Sequence, residues 1–294
     1  MGEYSQEPIL VVGSMCIDRT PRGTQLGGAV AYAAAVIHSM GYKARILTIG
    51  STNIDLGILN THHLHVIPDR EILTFEIDYP KEGRRLKLLQ KPSKKITIHD
   101  LPKSWRNNNT LIIAPLIEDD IELLPFLEFA SNINNVSLLT QGLQRRGDNN
   151  IIYSSITHFN SLLSYFSNSF SIFMSEQEEN LWSKQQVSQV LRTGARIITT
   201  SGKQGATIRR ANKITKIQPV PTGSALDFTG AGDTFATAFT LSLNHGERQA
   251  GNLAAAYATT SIEQIGPVSL PPKKIIRKRT LDEMLIFDHN HQGV

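Results

Sequence analysis

Seven residues near the C-terminal third, Asp227-Phe228-Thr229-Gly230-Ala231-Gly232-Asp233, set two carboxylates around a Gly-Ala-Gly turn. From Ala231 onward the pattern is helical. The turn therefore aims backbone N–H groups outward from a helix N-terminus, where they lack intrahelical acceptors and carry the positive end of the helix dipole. Such a place receives an anion, typically a phosphate. Asp233 falls in the first turn of that helix. A carboxylate beside an anion site opposes simple binding, but it suits taking a proton from a hydroxyl that attacks the phosphate. The alternative reading of the same heptad is structural, with Asp233 capping a helix after a glycine turn.

Other segments carry polar residues where chemistry needs them. Asp18 closes Val11-Val12-Gly13-Ser14-Met15-Cys16-Ile17-Asp18, just after an apolar run. Gly27-Gly28 opens an alanine-rich helix. Thr200-Ser201-Gly202-Lys203-Gln204-Gly205 follows the apolar Arg196–Thr199, and its spacing is not that of a Walker A loop. Ser175-Glu176-Gln177-Glu178 follows Phe170–Met174, and Asn252 lies in a small-residue helix.

In this order the pieces resemble the PfkB family of ribokinase-like carbohydrate kinases. The heptad resembles that family's second signature, D-T-x-G-A-G-D, and the likeness runs over roughly residues 8 to 270. It implies an ATP-dependent phosphotransferase. Asp233 would be the general base, and Gly230, Ala231 and Gly232 would stabilise charge on the moving phosphoryl group. Asp18, Gly27 and Gly28 would hold acceptor hydroxyls. Thr200, Gly202, Gly205 and Asn252 would bind the nucleotide. Glu178 would organise water around Mg²⁺, with Glu176 and Glu179 close enough to compete for that role. Asp227 and Gly266 would belong to a monovalent-cation loop of the kind that holds K⁺. The family has N-x-x-E where this chain has Ser175-x-x-Glu178.

The elements that must position these residues alternate. Ile9–Gly13 and Ala44–Gly50 read as buried strands around a helix at Gly27–Met40, the unit of a parallel sheet. Residues 111–115, 136–142, 170–175 and 196–202 read as further strands. Residues 121–131 have helical spacing with a proline that starts or bends the helix. Two hairpins are expected, one over 75–90 with its turn at 80–84, the other about Ala211-Asn212. The last third, 231–245 and 247–263, is helical. The fold class is thus α/β: a three-layer ribokinase-like fold with a mostly parallel central sheet, one kinase domain over 1–294, a small antiparallel hairpin region and a reduced or absent lid.

The lid is the chief departure. Family members insert several strands between the first aspartate and the Gly-Gly, but here only residues 19–26 intervene. Eight residues reach at most about 30 Å and must return, so no sheet is expected there. Only the hairpin near 72–90 remains as a cover. A monomer, or a dimer not built through a lid, follows. The short connection, together with Thr24-Gln25-Leu26-Gly27-Gly28 and Thr140–Arg146, resembles the inositol-kinase-like branch, which would put Gln141 and Arg145 near substrate and phosphate.

Bulk properties allow a sizeable core and favour anionic small molecules only weakly. The chain has 294 residues, 40% of them hydrophobic, and a formal net charge of only +4, thinly spread. That does not imply a nucleic-acid partner. The single cysteine, Cys16, excludes an intrachain disulfide. No apolar run approaches the roughly 18 residues of a membrane span, and the polar start leaves no room for a signal peptide, so a soluble cytoplasmic protein is expected. His62-His63-Leu64-His65 is read as surface or packing rather than metal, Lys273–Arg279 as a solvated helix end, and Cys16 as a small buried residue. The expected activity is that of a kinase for a small sugar or cyclitol. A nucleoside kinase on the same fold, with Tyr32 or Phe75 as a platform for a base, and a catalytically silent relative are the alternatives.

Overall fold

The computed structural model describes residues 8–51, 53–78, 85–146 and 151–280. The turn expected at 80–84 and the polar residues 1–7 lie outside them. The chain starts in the middle of its main sheet. Strand β1 (Ile9–Val12) leads to β2 (Cys16–Thr20) and β3 (Gly23–Gly27), then α1 (Ala29–Ser39) and β4 (Ala44–Gly50). Next come β5 (His63–Pro68), β6 (Leu73–Asp78), β7 (Arg85–Gln90), β8 (Thr110–Ile113), α2 (Leu123–Ala130) and β9 (Asn135–Leu139). A short helix α3 (Gln141–Gln144) runs into β10 (Arg145–Arg146), which pairs with β11 (Ile152–Tyr153). Then follow α4 (Phe159–Leu163), β12 (Phe170–Ser175), α5 (Glu176–Glu179), α6 (Lys184–Arg192) and β13 (Arg196–Thr200). The hairpin β14 (Ala206–Arg210) and β15 (Lys213–Ile217) precedes the long helices α7 (Ala231–Ser242) and α8 (Glu247–Ile262).

Nine strands form one sheet in the order β15-β14-β13-β12-β9-β8-β1-β4-β5. From β5 to β13 every pairing is parallel, and the β14–β15 hairpin closes one edge antiparallel. The apolar runs are explained by burial on both faces, as parallel sheets require. Ile9 and Val11 face the layer of α1, α7 and α8, whereas Leu10 and Val12 face that of α2, α4 and α6, following the two-residue period. Pro125 sits in the first turn of α2, where its missing N–H has no intrahelical acceptor to lose. No helix among the described residues is long and apolar enough to cross a membrane.

The order of the sheet fixes where a ligand can sit. From β1 the chain first builds outward through β4 and β5, then crosses to β8 and builds the other way. The switch between β1 and β8 opens a crevice at the carboxyl ends of the strands. Gly13 to Met15, Ala114 to Leu116, Thr140 and Ser175 all lie at these ends.

A second sheet, β3-β2-β6-β7, covers that crevice. The expectation that residues 19–26 are too short for a sheet is corrected here. Asp18 and Gly27 lie inside the strands rather than outside them, so β2 and β3 need only a tight turn between them. The hairpin finds its other neighbour far along the chain, where β2 pairs parallel with β6 and β6 antiparallel with β7. Phe75, Ile77, Leu86 and Leu88 bury the inner face of this sheet. The lid is reduced, but it is present, and the expected hairpin near 72–90 forms half of it.

Candidate active site

A cavity of about 640 Å³ lies between the lid and the carboxyl ends of the main sheet. Among the residues singled out in the sequence, Cys16, Asp18, Gly28, Tyr32, Phe75, Gln141, Arg145, Ser175, Glu178, Thr200 and Gly230 to Asp233 line it. Gly27, Gly202, Gly205, Asn252, Asp227 and Gly266 do not.

Asp233 stands in the first turn of α7, which starts after Gly230 in a left-handed conformation (φ 73°). Glycine is needed at 230 on a second count, because a Cβ there would come within 2.3 Å of the Tyr32 ring. The N–H groups of Gly230 and Gly232 donate to no group among the described residues. That of Ala231 makes only a 3.5 Å contact with Phe228 O. The helix entrance therefore carries the outward-facing donors that the glycine turn predicts. It also carries no side-chain cap, so Asp233 is not the N-cap that the structural reading of the heptad required.

Gln141, at the start of α3, donates from Nε2 to Asp233 Oδ1 at 2.9 Å. Arg145 in turn donates from Nη2 to Gln141 Oε1 at 2.9 Å, and from Nη1 to Leu116 O at 3.1 Å. The guanidinium is buried (7% exposed). Burial opposes its charge, but Tyr153, Glu178 and Asp233 outweigh that and hold it more firmly protonated than usual. Because the guanidinium only donates, it orients the Gln141 amide with its oxygen inward and its N–H₂ toward Asp233. Gln141 and Arg145 both line the cavity, and between them they form a hydrogen-bonded relay that reaches Asp233.

On the lid side, Asp18 is buried at 3% exposed. Cys16 Sγ donates to its Oδ1 at 3.2 Å. Burial, and then the Asp18 charge, push the Cys16 thiol well above its usual range, which disfavours a thiolate at this place in the cavity wall. A Cβ on Gly27 would lie 2.2 Å from Asp18 Oδ2. Gly27 thus makes room for the carboxylate across the hairpin, a different reason for glycine from contact with a hydroxyl.

Glu178 is buried, and its Oε2 accepts from Ser175 N at 2.7 Å while Ser175 Oγ accepts from Glu178 N at 3.2 Å. This is a capping box, which gives Ser175 a structural role at the start of α5. Glu179 pairs with Arg209 at 2.6 Å and with Thr199, which separates it from the cavity role. On the far side, Gly205 is pinned by the hairpin, since a Cβ would lie 2.1 Å from Ile217 O. Asn252 lies on α8, away from the cavity wall.

Asp227 and Gly266 come together, but through a hydrogen bond. Gly266 N donates to Asp227 Oδ2 at 3.4 Å, and Gln25 Nε2 from β3 donates to the same oxygen at 3.3 Å. Thr229 N donates to Oδ1 at 2.9 Å. Burial alone would raise the Asp227 carboxyl, yet these donors hold it below the usual range. Gln25 is a residue that sequence reasoning misses. Its only signal is the register that sets it opposite Asp18, and that depends on a hairpin the sequence does not reveal.

Other motifs fall outside the cavity. His62 is buried, accepts from Ala44 N at 3.2 Å and pairs through Nε2 with Ala34 O at 2.9 Å. It is a packing residue, and no group of three or more metal-ligating side chains is found among the described residues. Arg279, in the basic C-terminal segment, pairs with both oxygens of Glu263 at 2.8 Å.

Residues 121–274, just over half of the chain, match the family model described as pfkB family carbohydrate kinase. Comparison with curated proteins returns no match. Among solved structures, the chain is similar to a pyrophosphate-dependent kinase in the ribokinase family complexed with a pyrophosphate analog and myo-inositol, at 17% identity and TM-score 0.72, over 92% of this chain and 99% of that one. It is similar to the Methanocaldococcus jannaschii nucleoside kinase at 20% identity and TM-score 0.72, over 94% and 99%. It is also similar to Arabidopsis thaliana ribokinase complexed with ribose and ATP, at 18% identity and TM-score 0.68, over 93% and 98%. At these identities the likeness establishes the ribokinase-like fold.

Proposed function

The chain belongs to the pfkB family of carbohydrate kinases, phosphotransferases with an alcohol acceptor, and we propose that it transfers the γ-phosphate of ATP to a hydroxyl of a small sugar or cyclitol. The observation that carries this reading is the meeting, in one cavity, of Asp233, the outward N–H groups of Gly230 and Gly232, and Asp18 on the lid. Asp18 accepts hydrogen bonds from acceptor hydroxyls and orients them. Asp233, held by the Gln141–Arg145 relay, takes the proton from the attacking hydroxyl. The amides of the turn bind the phosphoryl group as its charge spreads over the oxygens.

The donor set fits Mg²⁺ carried by the donor phosphates. Mg²⁺ keeps waters and substrate oxygens, and Glu178, which lines the cavity while its Oε2 accepts from Ser175 N, would meet it through a water. When bound, Mg²⁺ would neutralise charge on the donor phosphates. The lid excludes water from the transfer, which limits hydrolysis.

The acceptor reading favours a polyol over a nucleoside. Tyr32 and Phe75, the two platforms considered for a base, are 3% and 2% exposed. Both line the cavity, but Tyr32 packs on Gly230 and Phe75 is seated in the lid sheet, so each ring shows little area to a base. The resemblance to the inositol-kinase-like branch, and the myo-inositol bound to the similar pyrophosphate-dependent kinase, support a cyclitol. That relative also motivates a second reading of the donor. Of the four residues assigned to the nucleotide, Thr200 lines the cavity but Gly202, Gly205 and Asn252 do not, and a pyrophosphate donor needs none of those three.

The test is a panel of sugars, cyclitols and nucleosides, with ATP or pyrophosphate as donor and phosphorylated acceptor as readout. Turnover of a cyclitol or sugar with ATP supports the proposal. Turnover confined to nucleosides, or to pyrophosphate, selects the corresponding alternative. Nucleotide binding with no turnover across the panel refutes the enzyme reading in favour of a silent relative.

A further inference from the structure

The ribokinase-like fold implies a monovalent cation at Asp227 and Gly266, and the groups found there do not fit one. A cation is held by oxygen atoms, whereas Gly266 presents its N–H to Asp227 Oδ2 and Gln25 presents its amide N–H₂ to the same atom. Two donor dipoles point their positive ends at the place a cation would take beside that carboxylate oxygen. The second oxygen accepts from Thr229 N at 2.9 Å. The Gln25 amide also packs over Gly266, where an added Cβ would meet its Oε1 at 3.0 Å.

We propose that the Gln25 side chain takes the place of a monovalent cation, so that the chain folds and turns over without K⁺, and that through it the lid positions the loop leading to the anion-binding turn. The inference rests on the kinase reading only for its effect on turnover. Asp18 and Gln25 are directly opposite one another on β2 and β3. One short hairpin therefore holds the acceptor-side carboxylate and, through Gln25, the start of Asp227–Asp233. A second tie strengthens the link, because Arg22 at the hairpin turn donates from Nη1 to Leu226 O at 2.5 Å. Gln25 is a positioning residue: it touches Asp227 and not the reacting atoms.

The experiment uses the full chain in K⁺, Na⁺ or tetramethylammonium chloride at one ionic strength. Melting temperature is read alongside kcat/KM for the acceptor found in the panel. For the wild type, melting temperature and kcat/KM agree among the three salts, the latter within about twofold. Gln25→Glu sets two carboxylates against each other, an arrangement that an inorganic cation relieves. It is expected to melt lower in tetramethylammonium, to lose about tenfold or more in kcat/KM there, and to regain both in K⁺.

A wild type that melts clearly higher in K⁺ than in tetramethylammonium, or whose kcat/KM rises about tenfold there, overturns the proposal. So does a Gln25→Glu chain that melts and turns over like the wild type in every salt. If Gln25→Glu fails to fold, the wild-type salt series decides by itself. If no acceptor supports turnover, the kinase reading fails, and the melting curves still decide the role of Gln25.

Discussion

Gly232→Ala separates stability from catalysis at the proposed phosphate site. Gly232 is the second residue of α7, its φ is not positive, and an added Cβ meets nothing within 4 Å. The methyl group therefore costs no packing. Alanine in place of glycine favours a helix by about 0.5–1 kcal/mol, which raises the melting temperature by about 1–3 °C in a chain of this size. The same methyl group projects from a residue that lines the cavity, beside an N–H with no protein acceptor among the described residues. Displacing the phosphoryl group from one preorganised donor costs about 10²–10³ in kcat. Differential scanning calorimetry and steady-state kinetics on the same preparation read both effects. A variant with unchanged melting and wild-type kcat would show that this amide does not meet the transferring group, and the reasoning from the glycine turn would fail.

Three further outcomes follow. Gly230→Ala forces a positive φ on alanine, at about 1–2 kcal/mol, and drives its methyl into the Tyr32 ring, at about 1–3 kcal/mol. Urea denaturation should show the combined loss, and in a Tyr32→Ala background the added cost of Gly230→Ala should shrink by the steric part. Arg145→Met leaves Gln141 without the donor that orients it and removes a buried cation from beside Glu178. It should cost about 3–5 kcal/mol of stability and lower kcat in the surviving folded fraction. Asp120 accepts from Leu116 N at 2.9 Å and is raised to about 7, chiefly by burial. Between about pH 4 and pH 7 the folded chain therefore keeps a proton that the unfolded chain releases, so this group's contribution to stability falls as pH rises through that window. Asp120→Asn keeps an acceptor for Leu116 and should flatten the difference in urea midpoint between pH 5 and pH 8.

The main sheet is legible in the sequence because its signal is local. Ile9–Val12, Ala44–Gly50 and Phe170–Ser175 are apolar runs that only burial on both faces explains, and the glycines and small residues around α1, α7 and α8 mark their ends. The heptad before α7 is legible for the same reason, since a turn and the helix it opens lie within a few residues. The lid is not. Cys16–Thr20 and Gly23–Gly27 are polar and short, and they become strands by pairing with each other and, through Cys16–Thr20, with the distant strand Leu73–Asp78. Gln25 inherits that difficulty, because its partner Asp227 lies about two hundred residues away in sequence. The Arg145–Gln141–Asp233 relay is half visible: the residues can be placed near the site, but which of them touches which depends on how α3 meets α7. Ser175 shows the opposite case. The pattern Ser-x-x-Glu is a capping box on its face, and comparison with an expected asparagine draws attention away from it.

The central claim is that the carboxylate at position 233 receives the proton of the acceptor hydroxyl. Asp233→Asn tests it most directly, because an amide oxygen can still accept from Gln141 Nε2 while the basic oxygen is removed. Single-turnover measurement with saturating donor should show the phosphoryl-transfer step slowed by about 10²–10⁴, with donor affinity and melting temperature little changed. Transfer at the wild-type rate in that variant would contradict the account.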